Sequence, residues 1–383
     1  MTQFRLKPSR TTWRGVSIAA IVSAGALAAG ALGAAPAGAS AHIGAYRQIN
    51  LVSDQPGKAN LPDSDLVNAW GLAASPGTNA SPGSPLWVAD NGSDKATLYA
   101  AGSTANSVSK VGLTVNVTGA APTGQVFNGD GSAFIVKDGQ GNSGSALFIF
   151  DTENGTIDGW APNVGGPPPS MVTEVARNNG ANAVYKGLAE ATVKGKSFLY
   201  ATNFRSERVE AYDSTFTPVE MPGGLFVDQG LPTGYGPFGI AEIKGMLYVS
   251  FAKQDSTLHD DVGGSGHGFV DVFTNNGKFV RRLVSRGALD SPWGMALAPA
   301  GFGQFSGDLL VGNFGNGLIN VYNPDNGAHL GVLRRSNGVP IQIDGLWGLM
   351  FGNGNAAKTN QLIFSAGPSH ESHGLLGKIV VAH

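Results

Sequence analysis

A short phrase built around glycine returns six times along this chain: AWGLA at Gly71, PTGQVF at Gly124, YKGLAE at Gly187, PFGIAE at Gly239, PWGMALA at Gly294 and LWGLM at Gly348. The steps between these glycines are 53, 63, 52, 55 and 54 residues. A period of this size constrains the fold more than any single motif, because a unit too small to bury both of its faces must stack on its neighbours. Each phrase is followed by an apolar strand, a polar turn and another apolar strand, as in PLWVADNGSDKATLYA, AFIVKDGQGNSGSALFIFD and FLYATNFRSERVEAYD. Asn154-Gly155, Asn276-Gly277 and Asn326-Gly327 then offer hairpin signals suited to type I′ turns. Each unit therefore predicts a four-stranded antiparallel meander. Six of them predict an all-β, six-bladed propeller, with blades starting near residues 68, 122, 185, 237, 292 and 346.

The ends of the chain fit that ring. GLLGKIVVAH at the C-terminus supplies only a third strand for the last blade, whereas YRQINLV (46–52) is a strand with no blade of its own. Pairing the two closes the circle and removes an exposed sheet edge. The small residues of the glycine phrases suit crowding near an axis, and Trp70, Trp293 and Trp347 read as core that fills the gaps between blades.

Composition agrees. The 57 glycines are about twice the usual share, and with 21 prolines they predict many turns and few long helices. A formal net charge of -2 gives no electrostatic case for nucleic acid or an anionic membrane surface. With no cysteine, disulfides, thiolate metal sites and a cysteine nucleophile are all excluded. The basic start (Arg5, Lys7, Arg10, Arg14), an apolar Ala/Gly stretch and the small residues of AGASA predict a secretory signal peptide over 1–41, leaving residues 42–383 as one propeller domain. The mature chain is then expected to be secreted or periplasmic, without a membrane span, and a monomer.

The opening INLVSDQPGKANLPDSDLVNAWGLA, with PLWVADNGSDKATLY after it, resembles an uncharacterised family of secreted bacterial propeller proteins, over nearly the whole mature chain. More distantly, the glycine-led blades are similar to NHL-repeat and gluconolactonase-like six-bladed propellers, some of which are enzymes holding a calcium-type ion in the channel mouth. That likeness is architectural, and no local motif carries a ligand set across residue by residue.

In a propeller the loop entering each inner strand and the hairpin joining its second and third strands emerge on the same mouth, where function is expected. Aligning these hairpins puts Asp90, Asp138, Asn203 and Asn313 at one equivalent strand end, a candidate oxygen-ligand set for Ca2+. Asn and Asp also end strands for reasons of turn geometry alone. Blades four and six carry AKQDSTLHDDVGGSGHG and AGPSHESHG instead. These loops bring His259, His267, His370 and His373 beside Asp255, Asp260, Asp261 and Glu371, the first four as candidate catalytic groups and the acids as candidate ligand-binding groups. HESH is not the helical H-E-x-x-H zinc pattern. Arg205 and Glu207 in NFRSER are further candidate ligand-binding residues, or an exposed ion pair. Glu190 and Glu242 hold matching places inside two inner strands and are expected to face between blades or toward the opposite mouth. There is no G-x-S-x-G elbow and no glycine loop of the full G-x-x-x-x-G-K-[ST] form for phosphates. Two readings stay open: a propeller that binds an extracellular small molecule, glycan or protein without turnover, and a metal-dependent hydrolase, lactonase or lyase.

Overall fold

Short runs rich in Val, Ile, Leu and aromatic residues, punctuated by Gly, Asn and Asp, form strands because branched and flat side chains pack well on a pleated surface. A computed structural model describes residues 45–78 and 82–382; the expected signal peptide lies outside the described residues. Blade one comprises Ala69–Ala73, Leu86–Asp90, Lys95–Ala101 and Val108–Asn116. Blade two comprises Pro122–Phe127, Phe148–Thr152, Thr156–Trp160 and Glu174–Asn178. The inner strands of blades three to six are Tyr185–Val193, Tyr235–Ile243, Pro292–Leu297 and Leu346–Phe351. Each inner strand packs on the next, and the sixth packs on the first, so the ring is closed.

Closure runs through the chain ends, as expected. Tyr46–Ser53 pairs antiparallel with Leu375–Val381, from Tyr46 opposite Val381 to Ser53 opposite Leu375, with a bulge after Asn50. The N-terminal strand thus becomes the fourth strand of blade six, and Leu61–Pro62 adds a short parallel fifth.

The core is divided among the seams between blades. Trp87, Leu98, Phe148 and Trp160 fill the seam between blades one and two, and Tyr200, Val249, Phe251 and Phe273 that between three and four. Trp70, Trp293 and Trp347 are core too, but not in the seams: they gather with Phe204, Phe238 and Phe314 in a separate cluster. Below that cluster stand the six repeat glycines. A Cβ on Gly71 would lie 2.5 Å from the Thr123 carbonyl, on Gly348 2.6 Å from that of Trp70, and on Gly187 2.9 Å from that of Phe238. On Gly124, Gly239 or Gly294 it would run into backbone of the next inner strand. Each glycine therefore marks a place where one blade's backbone meets the next too closely for any side chain.

Two local expectations are corrected. At Asn154-Gly155, Asn276-Gly277 and Asn326-Gly327 only the glycine has positive φ, so these are not type I′ turns, which need two such residues. In blade two, Ile135–Lys137 and Ser143–Ser145 form a separate two-stranded hairpin inserted after the inner strand. The true second-to-third-strand turn of that blade is Glu153-Asn154-Gly155. This insertion, together with the proline-rich loop at 161–173, accounts for the longest repeat. Among the described residues, no helix is long and apolar enough to cross a membrane.

Candidate functional site

The residue just before each ring glycine stands at the same height in its blade: Trp70, Thr123, Lys186, Phe238, Trp293 and Trp347. Four are aromatic and meet at the axis. Trp70 stacks on Trp347 with centroids 3.4 Å apart, Trp293 sets its edge to both at 5.8 and 5.7 Å, and Phe314 stacks on Trp347 at 3.9 Å. Together they form a buried floor under the loop-rich mouth.

Lys186 is the charged exception. Its side chain is only 2% exposed, and its Nζ lies 5.3 Å from the centre of the Trp70 ring. The ammonium donates to Glu153 Oε1 and, at 3.3 Å, to Asp260 Oδ1. Burial by itself would push this lysine down, but the charges of Glu153 and Asp260 more than offset that and hold it above its usual range. It is a buried cation, and the Nε1 of Trp293 donates to its backbone carbonyl at 2.8 Å.

From this pair a continuous polar network crosses the mouth. Glu153 Oε2 accepts from Asn91 Nδ2 at 3.0 Å, and Asn91 Oδ1 accepts from Asn68 Nδ2 at 3.1 Å. Asn68 also donates to Glu371 Oε1 at 3.3 Å and accepts from Trp347 Nε1 at 3.2 Å. On the other side His259 Nδ1 lies 2.8 Å from Asp260 Oδ1. Ligand atoms of Glu153, His259 and Asp260 all fall within 4.8 Å of one another. Burial, then the charge of Glu153, pushes the Glu371 carboxyl up to about 7. Burial likewise raises Asp261. The backbone is strained here, since Ser369, His370 and Glu371 have φ of 59, 54 and 63°, a left-handed run that non-glycine residues rarely adopt. Five blades contribute side chains to one spot, and its chemistry is mixed: several carboxylates and amide groups around one buried ammonium.

Of the residues singled out from sequence, Asp260, Asp261, Glu371 and His259 belong to this mouth. Asp255 shapes the loop instead, its carboxylate accepting the backbone N–H of Thr257 and of His259, both at 3.1 Å. His267 Nδ1 is engaged by the Val262 carbonyl at 2.8 Å, and His373 Nδ1 by Asp54 at 2.7 Å. His370 is exposed. Arg205 donates to the Ala181 carbonyl at 2.9 Å, while Glu207 is exposed at φ 56°, and no ion pair joins the two among the described residues.

Three of the four aligned oxygens, Asp90, Asn203 and Asn313, end the second strands of their blades, opposite Ala69, Tyr185 and Pro292. Asp138 sits at the tip of the inserted hairpin, accepting from Asn142 and Gly165, not at a second-strand end of the blade. Asp90 is fully buried against Thr97, where burial pushes its carboxyl well up. Asn203 donates to Glu210 at 2.7 Å and Asn313 to the Ala288 carbonyl at 2.8 Å. Asn203 is fully engaged within its own blade, whereas both carboxylate oxygens of Asp90 and the Oδ1 of Asn313 are buried without a hydrogen-bond partner among the described residues. Glu190 and Glu242 lie within their inner strands, each three residues after the ring glycine; burial pushes Glu190 up to about 7, and Glu242 accepts the Gly245 N–H at 2.6 Å.

Lys186, Glu153, Asn68 and Asn91 were missed. Lys186 was detectable as the lysine in YKGLAE where three sister phrases carry Trp. Glu153 was hidden by the misplaced hairpin of blade two.

A closed six-bladed propeller with a charged mouth over an aromatic floor defines the class of this protein. No protein-family model matches the chain. Two uncharacterized proteins of Acanthamoeba polyphaga mimivirus are similar to it: one is 32% identical over 334 residues, covering 86% of this chain and 78% of the relative, the other 33% identical over 341 residues, covering 86% and 84%. The chain belongs to the family of these proteins. Its matched relatives are viral, where the sequence resemblance implied a bacterial family. Among solved structures, a Penicillium chrysogenum α-L-arabinanase complexed with arabinobiose aligns with a TM-score of 0.52 at 10% identity, over 87% of this chain and 97% of that one. A PQQ-bound aldose sugar dehydrogenase from Streptomyces coelicolor aligns with a TM-score of 0.49 at 12% identity, over 88% and 98%. At such identities the first likeness speaks for the fold alone.

Proposed function

We propose that this protein is a binding propeller that works outside the cytoplasm and holds a small polar ligand on its loop-rich mouth, without turnover. The observation that carries this reading is the network around Lys186, in which acidic, amide and ammonium groups from five blades meet above a floor that blocks passage through the ring. Such a floor lets a ligand sit but not pass, and the mixture of donors and acceptors suits a molecule bearing hydroxyl or amino groups. The basic and then apolar start of the chain supports the extracellular setting.

The second reading, a metal-dependent hydrolase, rests on the Glu153, His259 and Asp260 trio. That trio fits a cation poorly as it stands, because the Lys186 ammonium already lies between the two carboxylates. Thermal-shift titration with neutral sugars, amino sugars, lactones and Ca2+, on the wild type and on Asp260→Asn and Glu371→Gln, separates the readings. A sugar or amine that stabilises the wild type and loses its effect in both variants supports the binder. Stabilisation by Ca2+ with lactone turnover overturns it.

A further inference from the structure

The strand that closes the ring leaves part of its outer edge bare. One residue before it, the Ala45 carbonyl faces the tail and accepts the Ala382 N–H at 2.8 Å, whereas the Tyr46 N–H points the other way, to the Arg334 carbonyl at 2.8 Å. Strand residues alternate in direction, so the N–H and C=O groups of Gln48 and Asn50 also point away from the tail. Leu61–Pro62 pairs only with Val52 and Ser53. Between Tyr46 and Val52 no other strand of the described chain pairs this edge.

A groove of about 650 Å3 runs along the bare stretch, lined by Gln48 and Asn50 and by the exposed cations Arg47, Lys58 and Arg335. Among the described residues no acidic residue lines it, and none of the three cations makes an ion pair. Field from this region reaches inward: burial and then the charges of Lys358 and Arg47 hold the Lys378 ammonium below its usual range. Cations along an edge repel an identical edge, which disfavours a second copy as the occupant and favours a strand of opposite charge.

We propose that the outer edge of blade six docks an extended acidic peptide segment, which adds a strand beside Gln48 and Asn50 while its carboxylates meet Arg47, Lys58 and Arg335. Main-chain hydrogen bonds supply the affinity in this mode of recognition, and the flanking charges supply the selection.

The test is fluorescence anisotropy of the purified protein with a labelled hexapeptide alternating glutamate and valine. Saturable binding is expected, weakened roughly tenfold by Arg47→Glu combined with Arg335→Glu, and by a similar factor when the alternate peptide amides are N-methylated. Lys58→Glu serves as a second charge variant should the double substitution disturb folding. Equal binding of the methylated peptide would show attraction by charge alone and would overturn strand addition. So would full competition by inorganic phosphate at equal concentration, absence of binding, or a dimer in sedimentation that buries this edge.

Discussion

Trp347 and Lys186 occupy the same place in blades six and three, each immediately before a ring glycine, yet one is floor and the other is charge. Trp347 is stacked on Trp70 and Phe314 and uses its single polar atom to hold Asn68. Lys186 is just as buried, and Glu153 and Asp260 reach it from blades two and four to pair its ammonium. The comparison teaches that one repeat position can be stacked as floor in one blade and, where neighbouring blades supply acids, hold a buried charge in another. The glycine after each residue does not vary, because backbone from the next blade stands where a side chain would be.

The widest test of the contrast is Trp347→Ala, which removes two stacked partners at the axis and opens the floor. A loss of about 4 kcal/mol in denaturant unfolding is expected. Lys186→Met comes next, at about 3 kcal/mol, because it strands the half-buried Glu153 carboxylate without its cation. Adding Glu153→Gln to that variant should recover most of the loss; no recovery would mean that the lysine matters for packing and not for charge. Gly348→Ala is expected to cost about 2 kcal/mol, since the new Cβ would lie 2.6 Å from the Trp70 carbonyl, while Gly112→Ala, with open space around it, is the near-neutral control.

The smallest effect is a pH dependence on the polar side of the mouth. Glu371 has its folded pKa raised from 4.5 to about 7, so its ionisation is harder in the folded state than in the unfolded chain. The resulting cost is absent below about pH 4.5, grows as pH rises toward 7 and levels off above it. Glu371→Gln should therefore match the wild type near pH 4 and exceed it by about 1 kcal/mol at pH 8, as followed by thermal unfolding at both values. The opposite order would place the carboxylate in a stabilising contact and recast the mouth as already neutralised.

Much of the ring was legible before any coordinates. The glycine phrases carry a period, and close backbone approach between blades is a demand that only one residue type meets, so the pattern survives in plain view. Blade two misled for an equally physical reason: AFIVKDGQGNSGS has the alternation and turn residues of a true blade hairpin, and it is a hairpin, only an inserted one. Asp138 was displaced from the aligned set by that error, and Glu153 was overlooked.

Sequence alone determined the number of blades, the pairing of the strand at 46–52 with the tail and the mouth on which the loaded loops gather, because these follow from repeat spacing and strand alternation, which are local and periodic. Only the tertiary structure decided which side chains meet there. Lys186, Glu153 and Asp260 stand on three different blades, and their meeting depends on how tightly the inner strands close about the axis, a distance that no spacing along the chain records.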